Sequence, residues 1–323
     1  MSAFRVCPAA AAAICALVAC LAAPAAAQRT PVTVDDLRRA FYDYDAALPL
    51  RATAKPGPTP KGESEAQRAL RKRYLVAFDS AHDQRVPAIV AIPSKVRPPY
   101  PAVVLLAGSG GHKDTDYIRI ASDMLCTLGI ATISIDAQYH GARARKGRTG
   151  DIHFVNSVTN RDAWVQTVID LRRAIDYLLA RGDVDRERIG FLGFSQGAMI
   201  GGTLLGVEPR VAVACLAVPG AGLEEWAKHM KLPAGGDAHT MVVSAAIVDP
   251  IHFVGRFAPR PLLVLAARRD GLIPRSATEA LLAAAGASTQ VVWYNSGHIL
   301  PPTALVTDAR QFFATRLARP GRP

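Results

Sequence analysis

The sequence predicts an α/β fold in which a mostly parallel central sheet is flanked by helices. From residue 130 onward, short runs that are apolar throughout alternate with longer stretches of helical periodicity. Strands that are apolar on both faces and joined by helices are typical of a parallel sheet covered on both sides. The three apolar runs before that point are separated by turn-rich stretches instead, so they predict an antiparallel edge to the same sheet.

The predicted elements follow one another along the chain without an internal repeat. An N-terminal helix is predicted over 33–48, and the Pro- and Gly-rich stretch 52–64 is predicted to be a linker or exposed loop. The predicted strands span residues 73–78, 86–92, 102–107, 130–136, 188–193, 211–218, 261–267 and 290–295. The predicted helices span residues 161–180, 196–206, 275–286 and 303–318. Residues 219–259 separate two strands by more than a simple crossover needs, so this inserted segment is a candidate lid.

Length and composition are those of a globular protein. With 323 residues, half of them hydrophobic, the chain can bury one sizeable core or two modest ones. We divide it into a signal peptide at 1–27, an N-terminal helix and linker at 28–69, and the α/β domain at 70–323.

The first 27 residues predict export from the cytoplasm. Arg5 provides a positive start, an Ala-rich apolar stretch follows, and small residues precede a cleavage point after Ala27. Pro8 and Pro24 interrupt the apolar stretch, which argues against a membrane anchor, so no transmembrane segment is expected in the mature chain. A periplasmic or secreted location follows. The LVAC box that ends at Cys20 leaves a lipoprotein as an open alternative.

Charge, cysteine and histidine usage exclude several other classes of protein. The formal net charge is +11, but the basic residues are spread along the chain and cluster only at 140–148 and in the tail, so we expect no nucleic-acid partner. We interpret Cys126 and Cys215, the cysteines of the mature chain, as two separately buried thiols. The eight histidines show no metal-ligand spacing, so we expect no metal site.

The segment GFSQG (193–197) predicts a nucleophile. It is a G-x-S-x-G pattern directly after a predicted strand and at the start of a predicted helix. A turn this sharp strains the backbone of Ser195, and glycines two residues before and after it remove steric collisions. The turn exposes the hydroxyl group and places the backbone N–H of Gln196 beside it.

A serine nucleophile needs a base that takes its proton and an anion that orients the base. In this architecture the order along the chain is serine, acid, histidine, and each residue lies at the carboxyl end of a strand. Asp270 and His298 each follow a predicted strand by a few residues. We therefore predict that Ser195, Asp270 and His298 form a catalytic triad, with Asp249 as the reserve acid.

The oxyanion formed during ester cleavage needs backbone hydrogen-bond donors. We predict the N–H of Gln196 as one donor. The second is predicted in the loop GSGGH (108–112), at Ser109 with Gly110 as the next choice, because these small residues follow a strand. The same glycines match neither common phosphate-binding pattern, so we expect no bound nucleotide.

With these motifs placed, residues 70–318 resemble the α/β-hydrolase superfamily, and more narrowly its dienelactone hydrolase and acetyl xylan esterase-like branch. The resemblance rests on LLAGSGGH (105–112), DVDRERIGFLGFSQGA (183–198), RRDGLIP (268–274) and SGHIL (296–300). It implies that fold, an acyl-accepting Ser195 and no cofactor. Ala107 stands where many relatives have a histidine, and Ser195 stands where dienelactone hydrolases commonly have cysteine, which favours ordinary ester hydrolysis.

Several further residues are weaker candidates. Asp136 and His140 resemble an Asp-x-x-x-His-Gly segment of relatives, and for this pair a role in fixing a loop is favoured over catalysis. For the others, surface exposure or packing competes with substrate binding. These are His112 beside the oxyanion loop and, in the candidate lid, Trp226, His229 and Met230.

The expected function is that of a periplasmic or secreted serine esterase acting on a small-molecule or polysaccharide-linked ester. A serine peptidase of prolyl oligopeptidase-like type is an alternative, because the segment 183–198 around Ser195 resembles that family too, although the chain has no room for its propeller. A non-catalytic binding protein with this fold is a second alternative, which the presence of all three triad residues disfavours.

Overall fold

The computed structural model describes residues 33–147, 158–225 and 238–317, and in these residues nine strands form one mixed sheet. The strands are β1 Thr53–Pro56, β2 Arg71–Ser80, β3 Gln84–Pro93, β4 Tyr100–Leu106, β5 Ala131–Ile135, β6 Val184–Phe194, β7 Val211–Ala217, β8 Leu262–Ala267 and β9 Thr289–Tyr294. Their order across the sheet is β1-β2-β3-β5-β4-β6-β7-β8-β9.

The sheet is parallel from β5 across to β9 and antiparallel at the edge formed by β1, β2 and β3. The run 102–107, which was expected in that edge, is a correction: it forms most of β4 and pairs in parallel with β5 and β6, because a helix crosses over between β4 and β5. The strands from β4 onward pair in parallel, whereas β1, β2 and β3 pair antiparallel with one another and β3 pairs antiparallel with β5. The short strand β1 is a correction, because it lies in the stretch 52–64 predicted to be a loop. All four of its residues are exposed, so it forms through backbone pairing with β2 and shows no buried apolar face.

The structure describes eight α-helices, and those that lie between β4 and β9 along the chain connect the strands of the parallel part. The eight helices of the described residues are α1 Val34–Tyr42, α2 Glu65–Leu70, α3 Asp116–Thr127, α4 Val158–Ala180, α5 Gln196–Val207, α6 Ala238–Val248, α7 Arg275–Ala285 and α8 Arg310–Arg316. Helix α1 is shorter than the predicted 33–48. The predicted closing helix 303–318 consists of a π-helical stretch, Ala304–Ala309, that continues into α8.

Buried side chains form two clusters on opposite faces of the sheet. Along β4, Val104 belongs to the cluster that includes α4 and α5, and its neighbour Val103 belongs to the cluster that includes α3 and α8. This alternation places one cluster on each face. Cys126 in α3 and Cys215 in β7 are buried free thiols, which confirms the interpretation of the two cysteines.

The inserted segment 219–259 is described except for residues 226–237. Its C-terminal part belongs to the core, since Val248 and Phe253 are fully buried and Phe257 is 1% exposed. Helix α6 within it packs against α4. These residues of the segment are part of the core, and the lid role of 219–259 stays a prediction.

No helix in the described ranges is both long and apolar enough to cross a bilayer. The predicted signal peptide at 1–27, with Cys20, lies outside the described residues. Export therefore stays a prediction.

Candidate active site

The nucleophile elbow predicted at 193–197 forms where β6 ends and α5 begins. Ser195 has φ 52° and ψ −121°, a conformation that residues with side chains rarely adopt. A Cβ atom on Gly193 would overlap with the backbone of Gly197, and one on Gly197 would overlap with the carbonyl oxygen of Ala107. Both glycines are thus required by close approach of backbone segments, as the sequence pattern predicts.

Ser195, His298 and Asp270 form a continuous hydrogen-bonded row at the carboxyl ends of three strands. The Nε2 atom of His298 is 2.9 Å from Ser195 Oγ, and its Nδ1 atom is 2.8 Å from Asp270 Oδ2. The Asp270 side chain is 5% exposed and that of His298 is 22% exposed. In this arrangement the imidazole can accept the serine proton while the carboxylate fixes its orientation.

Backbone hydrogen bonds hold the Asp270 carboxylate in place. Its Oδ1 atom accepts the N–H groups of Leu272 at 2.8 Å and Ile273 at 2.9 Å, which leaves Oδ2 for His298. Burial alone would raise the pKa of Asp270, but the hydrogen bonds from His298 and from these backbone groups together lower it below its usual value. The carboxylate is therefore ionised at neutral pH.

The reserve acid Asp249 lies in a different environment. Its carboxylate accepts backbone N–H groups of Gly222 at 3.0 Å, Leu223 at 2.5 Å and Ile251 at 3.0 Å. Burial raises the pKa of Asp249, although the backbone hydrogen bonds oppose this shift. These bonds tie the two ends of the inserted segment together, and the acid beside the histidine is Asp270.

The two predicted oxyanion donors, Gln196 and Ser109, are linked through their side chains. Ser109 Oγ donates a hydrogen bond to Gln196 Oε1 at 2.5 Å. The preceding residue, Gly108, lies so close to the nucleophile that a Cβ atom there would be 3.0 Å from Ser195 Cβ. Its N–H group donates to the Tyr117 hydroxyl at 3.1 Å. The loop that carries Ser109 is thus held directly against the nucleophile.

Asp136 is a fully buried carboxylate that joins two loops near the site. It accepts the backbone N–H of Lys113 at 2.8 Å, the Nζ of Lys113 at 2.7 Å and the backbone N–H of Ala142 at 2.9 Å. His140 is also buried, and its Nδ1 is 3.0 Å from the carbonyl oxygen of Gln138. These contacts support the loop-fixing role predicted for Asp136 and His140. No sequence pattern marks Lys113, which is the partner of Asp136 in the other loop.

Of the remaining weak candidates, His112 is the one that lies in the described residues. His112 is exposed and its Nδ1 accepts the backbone N–H of Asp114 at 3.1 Å within a turn. It does not line the cavity over Ser195. Trp226, like His229 and Met230, lies outside the described residues. Among the residues that are described, no three His, Cys, Asp or Glu side chains are grouped to hold a metal ion.

A cavity of about 500 Å³ opens over Ser195 and His298. One continuous segment directly after the histidine, residues 299–306, supplies a large part of its wall, and no described residue of the inserted segment 219–259 lines it. The lining residues are Gly108, Ser109, Tyr117, Ile120, Phe194, Ser195, Gln196, Met199, Ala217, Val218, Leu265, Leu272, Ile273, His298, Ile299, Leu300, Pro301, Pro302, Ala304, Leu305 and Val306. This wall was not predicted from the sequence, in which the apolar run ILPPTALV (299–306) is the signal for it.

Comparison with known proteins agrees with the architecture. A family model described as acetyl xylan esterase (AXE1) matches residues 52–241. The putative hydrolase YtaP of Bacillus subtilis is 27% identical over 235 residues, which are 67% of this chain and 78% of that protein. Among solved structures, an acetyl xylan esterase from Paenibacillus sp. R4 has a TM-score of 0.70 at 18% identity, covering 87% of this chain and 92% of that one. Acetyl xylan esterase 1 from Thermoanaerobacterium sp. JW/SL YS485 has a TM-score of 0.69 at 16% identity, covering 87% and 93%. The predicted α/β-hydrolase fold is confirmed.

Proposed function

The chain belongs to the acetyl xylan esterase family, since the matched residues 52–241 are more than half of it, and we propose that it is a serine esterase. It is a carboxylic ester hydrolase whose nucleophile is Ser195, whose general base is His298 and whose orienting acid is Asp270. The observation that carries this assignment is the row of hydrogen bonds from hydroxyl to imidazole to carboxylate, at 2.9 and 2.8 Å. The backbone conformation of Ser195 supports it, because strain of this kind is concentrated at functional sites.

In the first half of the reaction, Ser195 Oγ attacks the ester carbonyl carbon while His298 Nε2 takes the hydroxyl proton. The carbonyl oxygen becomes an oxyanion that accepts hydrogen bonds from the backbone N–H groups of Gln196 and Ser109. The bond to the alcohol oxygen then breaks, and His298 returns the proton to that oxygen. The alcohol leaves, and the acyl group stays on Ser195.

In the second half, a water molecule attacks the acyl carbon while His298 takes one of its protons. The second oxyanion uses the same two backbone donors. Its collapse breaks the bond to Ser195 Oγ, which regains a proton from His298, and the carboxylic acid is released. Asp270 keeps the imidazole in the tautomer whose Nε2 faces the nucleophile in both halves.

The first test is kinetic and uses p-nitrophenyl acetate and butyrate as substrates. We expect Ser195→Ala to lower kcat by at least about 10⁴-fold with an unchanged melting temperature, because removing the nucleophile leaves only binding and oxyanion stabilisation. Wild-type turnover in Ser195→Ala would contradict the assignment. Cleavage of a chromogenic peptide without cleavage of any ester would favour the peptidase alternative, and turnover of neither substrate class would favour a binding protein.

The second test separates the two candidate acids. Asp270→Asn should lower kcat by about 10⁴-fold, since the amide no longer fixes the productive tautomer of the histidine. Asp249→Asn is the matched control, and it should lower the melting temperature while kcat stays within about fivefold of wild type. A larger loss of kcat in Asp249→Asn than in Asp270→Asn would reverse the assignment.

Export completes the proposal. It is supported by the charged start, the apolar stretch and the small residues before Gln28. In a bacterial host the mature chain should begin at Gln28 and be recovered from the periplasm or the medium, as read by mass spectrometry of the N-terminus. A chain that begins with diacylated Cys20 would support the lipoprotein alternative, and an uncleaved chain would contradict both.

A further inference from the structure

The cavity over Ser195 has polar side chains only next to the reacting hydroxyl. Among the described lining residues these form the pairs Ser195–His298 and Ser109–Gln196, and the Tyr117 hydroxyl accepts a hydrogen bond from a backbone N–H. Every other lining residue that the structure describes is apolar or glycine. The wall beyond the triad therefore presents no described side chain for binding substrate hydroxyl groups.

Large apolar side chains surround the mouth of this cavity and are exposed. They are Ile120 at 51%, Leu272 at 56%, Ile299 at 88% and Val306 at 46%. Of the ten exposed large hydrophobic side chains in the described residues, these four line the same cavity. A cluster of exposed apolar groups around a concave site marks a surface that binds an apolar ligand.

The apolar surface continues from the mouth to the floor. At the floor, Met199 is fully buried, Leu265 is 1% exposed and Ile273 is 3% exposed. Pro301 and Pro302 also line the cavity, and their rings restrict the backbone of its wall. A chain bound along this path would contact apolar side chains over its whole length.

We propose that this cavity takes an ester with an apolar chain or ring larger than an acetyl group, an inference that rests on the proposed esterase function. A single methyl group occupies little of a cavity of about 500 Å³. The hydroxyl groups of a sugar would lose their hydrogen bonds to water in this cavity and would gain none from the apolar side chains of its described wall. An apolar chain instead gains free energy with each methylene that it buries.

The experiment compares two series of esters by kcat/KM. The acyl series is p-nitrophenyl acetate, butyrate, hexanoate and octanoate, and the alcohol series is methyl, butyl and hexyl acetate followed by acid release. Full burial of one methylene group raises kcat/KM by at most about fourfold. In one of the two series we therefore expect kcat/KM to rise at least about tenfold from the shortest ester to the hexanoate or to hexyl acetate. The series that rises identifies which side of the ester lies in the cavity. Acetylated xylan, assayed beside them, should be the poorer substrate.

Two mouth variants and a matched control test whether the cavity is responsible. Leu272→Asn and Ile120→Asn should each reduce the ratio of hexanoate to acetate kcat/KM by about threefold or more, because each removes apolar contact area. Leu48→Asn makes the same substitution at a leucine that is 39% exposed and lies outside the cavity. Its ratio should equal that of wild type.

Failure of this inference differs from failure of the proposed function. If acetate hydrolysis depends on Ser195 but kcat/KM is flat or falls with chain length in both series, the apolar specificity is overturned and the esterase stands. A preference for acetylated xylan over the hexyl esters overturns it as well. If no ester in either series is hydrolysed in a Ser195-dependent way, the proposed function itself fails.

Discussion

Replacing Gly108 by alanine tests how closely the oxyanion loop approaches the nucleophile. A Cβ atom at this position would lie 3.0 Å from Ser195 Cβ and 3.1 Å from the carbonyl oxygen of Phe194. Neither atom is the end of a flexible side chain. The loop and the elbow must therefore separate by about 0.4 Å to reach ordinary van der Waals contact.

The separation moves the predicted donor at Ser109 away from the position of the oxyanion. Loss of one complete donor costs about 10² to 10³ in kcat, so we expect a displaced donor to lower kcat/KM by about 10- to 100-fold. The added methyl group also overpacks the site by about 1–3 kcal/mol. At about 2–4 °C per kcal/mol for a domain of this size class, the melting temperature should fall by several degrees.

The assay is hydrolysis of p-nitrophenyl butyrate at 25 °C by Gly108→Ala and by Gly271→Ala. Gly271 is the matched control, because it adjoins Asp270 but has no atom within 4 Å of its hypothetical Cβ. Gly271→Ala should keep kcat/KM within about twofold and melt at the wild-type temperature or slightly above it. Wild-type kcat/KM in Gly108→Ala would refute the close approach of loop and nucleophile. An equal loss in both variants would show a general sensitivity of these loops instead.

Three further predictions concern the Ser109–Gln196 hydrogen bond, the two buried thiols and the Asp270 carboxylate. Ser109→Ala removes the side-chain hydrogen bond to Gln196 and should lower kcat about 5- to 10-fold with little change in KM. Ser109→Thr keeps a hydroxyl group and should retain most of the wild-type kcat. Equal kcat in all three proteins would show that this hydrogen bond does not position the oxyanion donors. Burial raises the pKa of both Cys126 and Cys215, to about 12 for Cys126, so neither should react with iodoacetamide at pH 8 in the folded protein and both should react in urea, as read by peptide mapping. Labelling of either one in the native state would contradict the described burial. The lowered pKa of Asp270 adds stability that is complete above about pH 4 and is lost as pH falls through that pKa. The difference in free energy of unfolding between wild type and Asp270→Asn, measured in urea, should therefore become smaller below about pH 4. A difference that grows on acidification would contradict this prediction.

The elbow and its partners were predictable because each depends on a local constraint. Glycine is needed at 193 and 197 because backbone segments touch there. Both glycines lie in the five-residue segment around Ser195, so the requirement is visible in the local sequence. Asp270 and His298 follow apolar runs that form neighbouring parallel strands. Since the carboxyl ends of parallel strands share one edge of the sheet, two residues that follow neighbouring strands lie near each other.

The edge strand β1 and the cavity wall were not predictable in the same way. Strand β1 has four exposed residues, so its pairing with β2 leaves no hydrophobic pattern in the sequence. The wall at 299–306 is apolar, but an apolar run does not reveal whether it faces a core or a cavity. The long insertion at 219–259 instead suggested a lid, although Phe253 and Phe257 within it are core residues.

Tertiary contacts between loops were also beyond sequence reasoning. The ion pair between Lys113 and Asp136 joins residues 23 positions apart in two loops. An aspartate after a strand is a visible signal, whereas a lysine in the loop GHKDT (111–115) has no pattern that assigns it a buried partner. The side-chain link from Ser109 to Gln196, 87 positions apart, is hidden for the same reason.

The most direct test of Ser195 as the nucleophile is the site at which a fluorophosphonate reagent modifies the folded protein. We expect one adduct per chain, mapped by tandem mass spectrometry to Ser195, absent in Ser195→Ala and retained in Ser109→Ala. We also expect labelling to slow by orders of magnitude in His298→Ala, because the imidazole 2.9 Å away no longer takes the proton. An adduct on any other residue, or labelling of Ser195 at an unchanged rate without the imidazole, would contradict the catalytic role of this pair.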